Sequence, residues 1–230
     1  MPVLGSAQRF RCTARFENNA RRQGYGRVAG CDEAGRGALL GPLYAAAVIL
    51  NPERPIPGLN DSKKLSPAER EEFAAQIRDR ALVFAVVGIS AAEIDALNVY
   101  QASRRAMIRA LEALAPSPDF VLTDAMRLGG WGDLAEFSTA YRALVHGDAR
   151  SVSIAAASIL AKTARDGHLV ELDRLYPQYQ LARNKGYGTP EHLESLARHG
   201  PCPEHRRTFR PVKSYDLPLF PWLTAWGTGT

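Results

Sequence analysis

Acidic side chains that close short apolar segments are the first chemistry the sequence offers. Asp32 and Glu33 follow the run RVAGC and precede the glycines of AGRG; Asp124 ends DFVLTD (119–124); Asp148 ends YRALVHGD (141–148). In an open α/β sheet ligands gather at strand ends, so acids delivered there by separate strands are candidates for one shared site. Each one alone reads as a turn or cap aspartate, since aspartate is favoured in turns anyway. The Asp32-Glu33 pair says more, because the glycines after it let backbone come close to a ligand. Carboxylates brought together repel, at a cost of about 4 kcal/mol per charged pair at ~4 Å and an effective dielectric of ~20. A cation must offset that. Oxygen-only ligands suit Mg²⁺ or Mn²⁺ rather than zinc, and no His/Cys set has zinc spacing. Two such ions about 3.5–4 Å apart can activate a water and stabilise the leaving oxygen of a phosphodiester. The residue types therefore predict a carboxylate two-metal nuclease or phosphotransferase.

The elements that must position these acids are legible from pattern. RVAGCD (27–32) and PLYAAAVIL (42–50) read as two strands able to pair as neighbours, joined through the Gly-rich turn. After a proline-heavy loop, Ser66-Pro67-Ala68-Glu69 combines a capping serine, proline at the first helical position and glutamate three residues after the cap, which predicts a helix over 67–80. ALVFAVVGI (81–89) is a third strand, and Ser90 with Glu93 repeats the capping signal for a short helix. Val99, Tyr100, Met107, Ile108, Leu111 and Leu114 keep helical period up to Pro116. DFVLTD is a fourth strand and YRALVHGD a fifth. Residues 151–175, apolar and Ala-rich on one face, read as a long helix packed on a sheet, and another helix starts at Thr189-Pro190. The alternation predicts an α/β fold with a mixed sheet covered by helices.

Composition sets the outer bounds. The 230 residues, 46% hydrophobic and 23% charged, suit one large α/β domain. No run approaches the ~18 apolar residues of a membrane span, and the first residues lack the apolar stretch of a signal peptide, so a cytoplasmic protein without membrane contact is expected. Cys12, Cys31 and Cys202 are odd in number and far apart, which offers no disulfide framework. The net charge of +5 is unevenly spread. Residues 1–27 carry six arginines against Glu17 alone, and 183–213 carry seven Lys/Arg against three glutamates. That distribution suits a polyanionic partner, although solvated surface charge explains it equally well.

VAGCDEAGRGALLGPLYAAAVIL, LNDSKKLS, EIDALNVYQASRRAM, FVLTDA, GDARSVSIAAASILAKTARD, RNKGYGT and HRRTFRPV, in this order, resemble the type 2 ribonucleases H, and among them bacterial ribonuclease HII. The resemblance runs from Val28 to about Lys213. It implies a ribonuclease H-like mixed β-sheet flanked by helices, with a helical C-terminal region. The implied activity is endonucleolytic cleavage of the RNA strand of RNA/DNA hybrids, and 5′ of single ribonucleotides embedded in duplex DNA, leaving 3′-hydroxyl and 5′-phosphate ends. By position, the resemblance makes Asp32, Glu33, Asp124 and Asp148 the acids that hold two Mg²⁺ or Mn²⁺ ions, with Asp32 as the bridge. Asp166, inside the long helix with Lys162 four residues earlier, ranks second to Asp148 as the fourth acid.

The same resemblance brings the backbone of Gly35, Arg36 and Gly37 to the sugar 2′-hydroxyl, with Arg36 on a phosphate. It sets Tyr187 against the sugar beside the cleavage junction, and makes Ser62, Lys63, Lys64 and Lys162 phosphate or active-site support. Three positions depart from the pattern: Ala38 replaces a usual proline, Ala125 a usual glycine and His146 a usual lysine. Cys31 is expected as a small buried hydrophobe. Cys202 and His205 are too few for a metal site, and their segment reads as basic surface or a structural turn.

Residues 27–213 thus form the expected catalytic domain, and a monomer is expected. The basic extension 1–26 has two open readings, a helix or arm near the duplex and a variable surface segment. The apolar tail 214–230 also has two: a strap packed back on the domain, or, through DLPLF (216–220), a peptide resembling those that dock on the bacterial sliding clamp. The sister type, ribonuclease HIII, resembles the chain less, because it carries an extra N-terminal domain and lacks the Gly-Arg-Gly element. The competing function is a non-catalytic RNA/DNA hybrid-binding protein of the same fold.

Overall fold

The computed structural model describes residues 12–129 and 137–215. Residues 1–11 and the tail from 216, including the clamp-like DLPLF segment, lie outside the described residues. The helices and strands in chain order are α1 (Arg15–Arg22), β1 (Val28–Ala34), β2 (Leu43–Leu50), α2 (Pro67–Arg80), β3 (Ala81–Ile89), α3 (Ala91–Leu97), α4 (Val99–Glu112), β4 (Phe120–Asp124), β5 (Ala140–Leu144), α5 (Val152–Leu175), α6 (Leu181–Asn184) and α7 (Pro190–His199). Among the described residues no helix is long and apolar enough to cross a membrane.

Five strands form one mixed sheet in the order β3-β2-β1-β4-β5. β1 and β2 pair antiparallel, as the hairpin-like start predicts, and β1, β4 and β5 run parallel. Cys31 pairs with Thr123 and Asp124 with Leu144, so continuing the register by one residue sets Asp32 level with Asp124. Both capping boxes form. Ser66 Oγ accepts from the Glu69 amide while Glu69 Oε2 accepts from the Ser66 amide, and Ser90 and Glu93 repeat the exchange. β5 stops at Leu144, earlier than the expected strand, because His146 turns left-handed (φ 55°) and feeds a 3₁₀ turn, Gly147–Ala149. Asp148 therefore stands on a turn and not on a strand end.

The chain forms two compact units. The first holds the sheet, α1, α2 and the first part of α5. Its core is built on small residues: Ala46 on β2 and Ala155, Ala156, Ala157 and Ala161 on α5 cluster with Val48, Ile77 and Ile159. Each fully buried isoleucine contributes about 1.5–3 kcal/mol. The closest approach is at Gly30, where an added Cβ would lie 2.1 Å from the Ser153 carbonyl carbon, so the first turn of α5 rests on bare β1 backbone. Glu17 of α1 is 2% exposed, and its carboxylate accepts from Ser151 Oγ, the Ser153 amide and Ser153 Oγ, capping that same turn. Part of the basic extension is therefore helical and built into the core.

The second unit comprises Gly35–Leu43, Ile89–Ala102 and the chain from Asp166. Leu40, Leu169, Leu172, Tyr179, Leu181 and Cys202 make one of its apolar clusters, and Leu39, Leu196 and Val212 another.

Candidate active site

Three of the expected acids meet in the first unit. Asp32 from β1, Asp124 from the end of β4 and Asp148 from the 3₁₀ turn each offer a carboxylate oxygen, and these oxygens all lie within 4.8 Å of one another. Backbone and hydroxyl donors hold them. The Glu33 amide donates to Asp32 Oδ1 at 2.8 Å, the Gly147 amide donates to Asp124 Oδ1 at 2.7 Å, and Ser158 hydrogen-bonds Asp32. Gly147 is needed for its own contact, since a Cβ there would sit 2.7 Å from Ile154 Cδ1 and 3.4 Å from Asp124 Oδ1.

Glu33 is not part of the three-acid group. Its charge is still close enough to act on Asp32. Burial, then Glu33 and Asp124, push the Asp32 carboxyl well above its ordinary range, against the Ser158 and Glu33 hydrogen bonds. Asp124 is pushed up by burial and by Asp148, against the Gly147 amide and the nearby charges of Lys63 and His146. The cluster therefore resists its own ionisation. An all-oxygen donor set whose charges repel when bare fits a hard divalent cation, which restores the charged form.

Lys63 Nζ lies 3.3 Å from Asp148 Oδ2. Burial lowers the Lys63 pKa, but Asp148 and Asp61 outweigh it and the net shift is upward. Lys63, Lys64, Asp61 and His146 join Asp124 and Asp148 around an open cleft of about 500 Å³. Ser62 is placed differently from a phosphate contact: it is 3% exposed, with its hydroxyl 3.0 Å from Ser158 Oγ, so it supports the acids from behind. Lys162 is half-buried on α5, one turn after Ser158, and Asp166 is not in the acidic group. Sequence reasoning assigned no role to Ser158; its only signal there is a polar residue among the alanines of SIAAASILAK.

Gly35, Arg36, Gly37 and Tyr187 belong to the second unit and are tied together within it. The amides of Leu39 and Leu40 donate to the Gly186 carbonyl at 2.8 and 3.3 Å. Arg206, fully buried, donates from Nη1 to the Arg36 carbonyl at 2.8 Å and from Nε to the Gly41 carbonyl at 3.1 Å. Gly35 has φ 93°, a left-handed turn that favours glycine, and Arg36 and Gly37 are exposed. His205 and Arg206 are buried, as the structural-turn reading of that segment expects, while Arg207 is part-exposed. Cys31 is buried, with its thiol toward the Met107 carbonyl at 3.8 Å, as expected of a small core residue.

Comparison with known proteins agrees with this arrangement. The family model described as Ribonuclease HII matches residues 29–212. Ribonuclease HII of Solibacter usitatus (strain Ellin6076) is 50% identical over 216 residues, covering 94% of this chain and 92% of that protein. Among solved structures, the ribonuclease H2 of Pyrococcus horikoshii OT3 is similar with a TM-score of 0.68 and 26% identity, over 82% of this chain and 96% of that one. Bst-RNase HIII, solved in complex with Mn²⁺, shares the fold at a TM-score of 0.64 and 19% identity, over 82% of this chain and 68% of its own.

Proposed function

Because the chain belongs to the ribonuclease HII family, we propose that it is a metal-dependent endoribonuclease that cuts the RNA strand of RNA/DNA hybrids and duplex DNA on the 5′ side of single embedded ribonucleotides. The observation that carries this reading is the convergence of Asp32, Asp124 and Asp148 within 4.8 Å. These three, with Glu33 beside Asp32, would hold Mg²⁺ or Mn²⁺. A bound ion of this kind, two during turnover in this reading, supplies charge neutralisation and a more acidic water. The chain's own residues do the rest. Gly147, Ser158 and the Glu33 amide fix the carboxylates, while Lys63 and Lys64 draw phosphate toward the cleft.

Arg36 takes a backbone phosphate, the Gly35–Gly37 backbone approaches the 2′-hydroxyl and Tyr187 packs on the sugar at the junction. Affinity then comes from phosphates and is salt-sensitive, whereas selection comes from ribose, so little base preference is expected. Docking of residues 216–220 on the sliding clamp is a further partner proposal resting on that peptide's sequence; deletion of 214–230 should abolish capture by the clamp, and unchanged capture contradicts it.

The test is cleavage of a DNA duplex carrying one ribonucleotide, beside an all-DNA control, with Mg²⁺ or Mn²⁺. The expected result is a metal-dependent cut 5′ of the ribonucleotide only, lost in Asp124→Asn with binding retained. Intact cutting by Asp124→Asn contradicts the site. Binding without cutting by the unaltered chain is what the non-catalytic reading requires.

A further inference from the structure

Tyr187 sits in the sequence Gly186-Tyr187-Gly188, between two residues with no side chain to pack beside it. Gly186 itself is left-handed, with φ 74°. The ring is 39% exposed, so side-chain packing does not fix it alone. Its peptide groups are held instead. The Tyr187 amide donates to the Asn184 carbonyl at 3.0 Å, and the Tyr187 carbonyl accepts from the Thr189 amide at 2.8 Å and lies 2.9 Å from His192 Nδ1.

His192 continues into a second imidazole. Its Nε2 is 3.2 Å from His205 Nε2, and His205 Nδ1 accepts from the Cys202 amide at 3.0 Å. These contacts allow one proton arrangement. A backbone amide only donates, so His205 Nδ1 is the acceptor and the His205 proton is on Nε2. That proton points at His192 Nε2, which must accept, so the His192 proton is on Nδ1 and points at the Tyr187 carbonyl. The Cys202 thiol, 3.2 Å from the same Nδ1, fits as a further donor, since burial pushes its pKa up. Every nitrogen of the pair is engaged, and a second proton on either ring would face an N–H. Both rings are at most 1% exposed, and burial lowers both pKa values. Tyr179 closes the cluster with its ring edge-on to His205 at 4.8 Å, while its carbonyl accepts from Asn184 Nδ2. Both lone pairs a metal would need are already used on N–H donors.

We propose that His192 and His205 are positioning residues for ribose selection: a one-way chain of neutral imidazoles runs from the Cys202 amide to the Tyr187 carbonyl and sets the orientation of the Tyr187 ring. The proposal rests on the reading of Tyr187 as the sugar-contacting side chain. It assigns the pair no contact with substrate.

Two measurements on the full chain test it. In ¹⁵N spectra of the imidazoles at neutral pH, His192 is expected as the Nδ1–H tautomer and His205 as the Nε2–H tautomer, both neutral; the opposite tautomer, or a charged ring, overturns the chain. In cleavage of the single-ribonucleotide duplex, His192→Phe should lower kcat/KM by about 3- to 10-fold, the worth of one net hydrogen bond. His192→Asn, whose amide can replace the Nδ1–H donor, should restore most of it. In a Tyr187→Ala background His192→Phe should cost nothing further. Additive losses, or a folded His192→Phe that cuts normally while Tyr187→Ala does not, overturn the positioning role and leave the Tyr187 reading intact. Normal cutting by Tyr187→Ala overturns that reading and the proposal with it. Where His192→Phe does not fold, the tautomers and His192→Asn decide.

Discussion

The two units bury different kinds of charge. In the first, Asp32, Asp124 and Asp148 are pressed together, and burial and neighbouring carboxylates push Asp32 and Asp124 above the ordinary range. In the second, the buried charge is a cation spent on backbone: Arg206 donates to the Arg36 and Gly41 carbonyls, while His192 and His205 are buried with their nitrogens engaged, His192 Nδ1 against the Tyr187 carbonyl. The contrast separates two tasks. Crowded carboxylates suit a cation, whereas buried donors matched to backbone carbonyls hold loops in one shape.

The sharpest way to break the contrast is to spoil the platform of the first unit alone. Gly30→Ala drives a methyl into the Ser153 backbone, and neither β1 nor the first turn of α5 can yield cheaply. A loss of more than about 3 kcal/mol is expected in urea unfolding, enough to unfold much of the population at 37 °C. A cost under about 1 kcal/mol would mean that helix and strand are not in backbone contact.

Acid should act on the two units with opposite signs. His205 is lowered to about 4 by burial and by His192, so between about 6.5 and 4 the unfolded chain binds the proton that the folded chain refuses. Its contribution is complete above about 6.5 and is lost as pH falls through about 4, up to about 3 kcal/mol. Asp32 and Asp124 run the other way. Their raised folded pKa values mean that the metal-free fold binds protons more firmly than the unfolded chain, so stability falls as pH rises from about 4 toward those values. Amide hydrogen exchange across this range should show protection around α7 falling on acidification while that of β1 and β4 in metal-free protein rises. Parallel changes would remove the distinction.

Smaller effects refine the acidic side. Ala125 has φ 52°, the left-handed region where a Cβ costs about 1 kcal/mol, so Ala125→Gly should stabilise by roughly that amount in thermal unfolding. His146 lines the cleft beside Asp124 and Asp148 and acts on Asp124 in the lowering direction. His146→Lys, which keeps a basic side chain at the cleft, should change cleavage of the single-ribonucleotide duplex by no more than about 3-fold. A loss greater than about 10-fold contradicts that and makes the imidazole itself necessary.

Local signals made most of the fold legible in the sequence. Serine and glutamate at capping spacing marked the starts of α2 and α3, and short apolar runs bounded by turn residues marked β1 to β4. The misses share a cause, which is that their residues are placed by distant chain. α6, four residues long, has too few positions to show a period, and the end of β5 depends on one left-handed residue, His146. Glu17, a lone acid among arginines, looked like surface until Ser151 and Ser153 came to meet it. In the site, the strand-end acids were visible because charge after an apolar run is unusual. Ser158 was not, since nothing in an alanine-rich helix says which hydroxyl will face Asp32. Cys202 and His205 looked like an incomplete metal site because the partner that completes them, His192, serves as a hydrogen-bond acceptor.

Thermal unfolding of the unaltered chain and of Asp32→Asn, each with and without Mn²⁺, tests the cation-seeking cluster most directly. Mn²⁺ should raise the Tm of the unaltered chain and leave that of Asp32→Asn nearly unmoved. Without metal, Asp32→Asn should melt higher than the unaltered chain, by about 2–4 °C for each kcal/mol of repulsion relieved. A metal-free Asp32→Asn that melts lower, with the same Mn²⁺ response as the unaltered chain, would contradict the account.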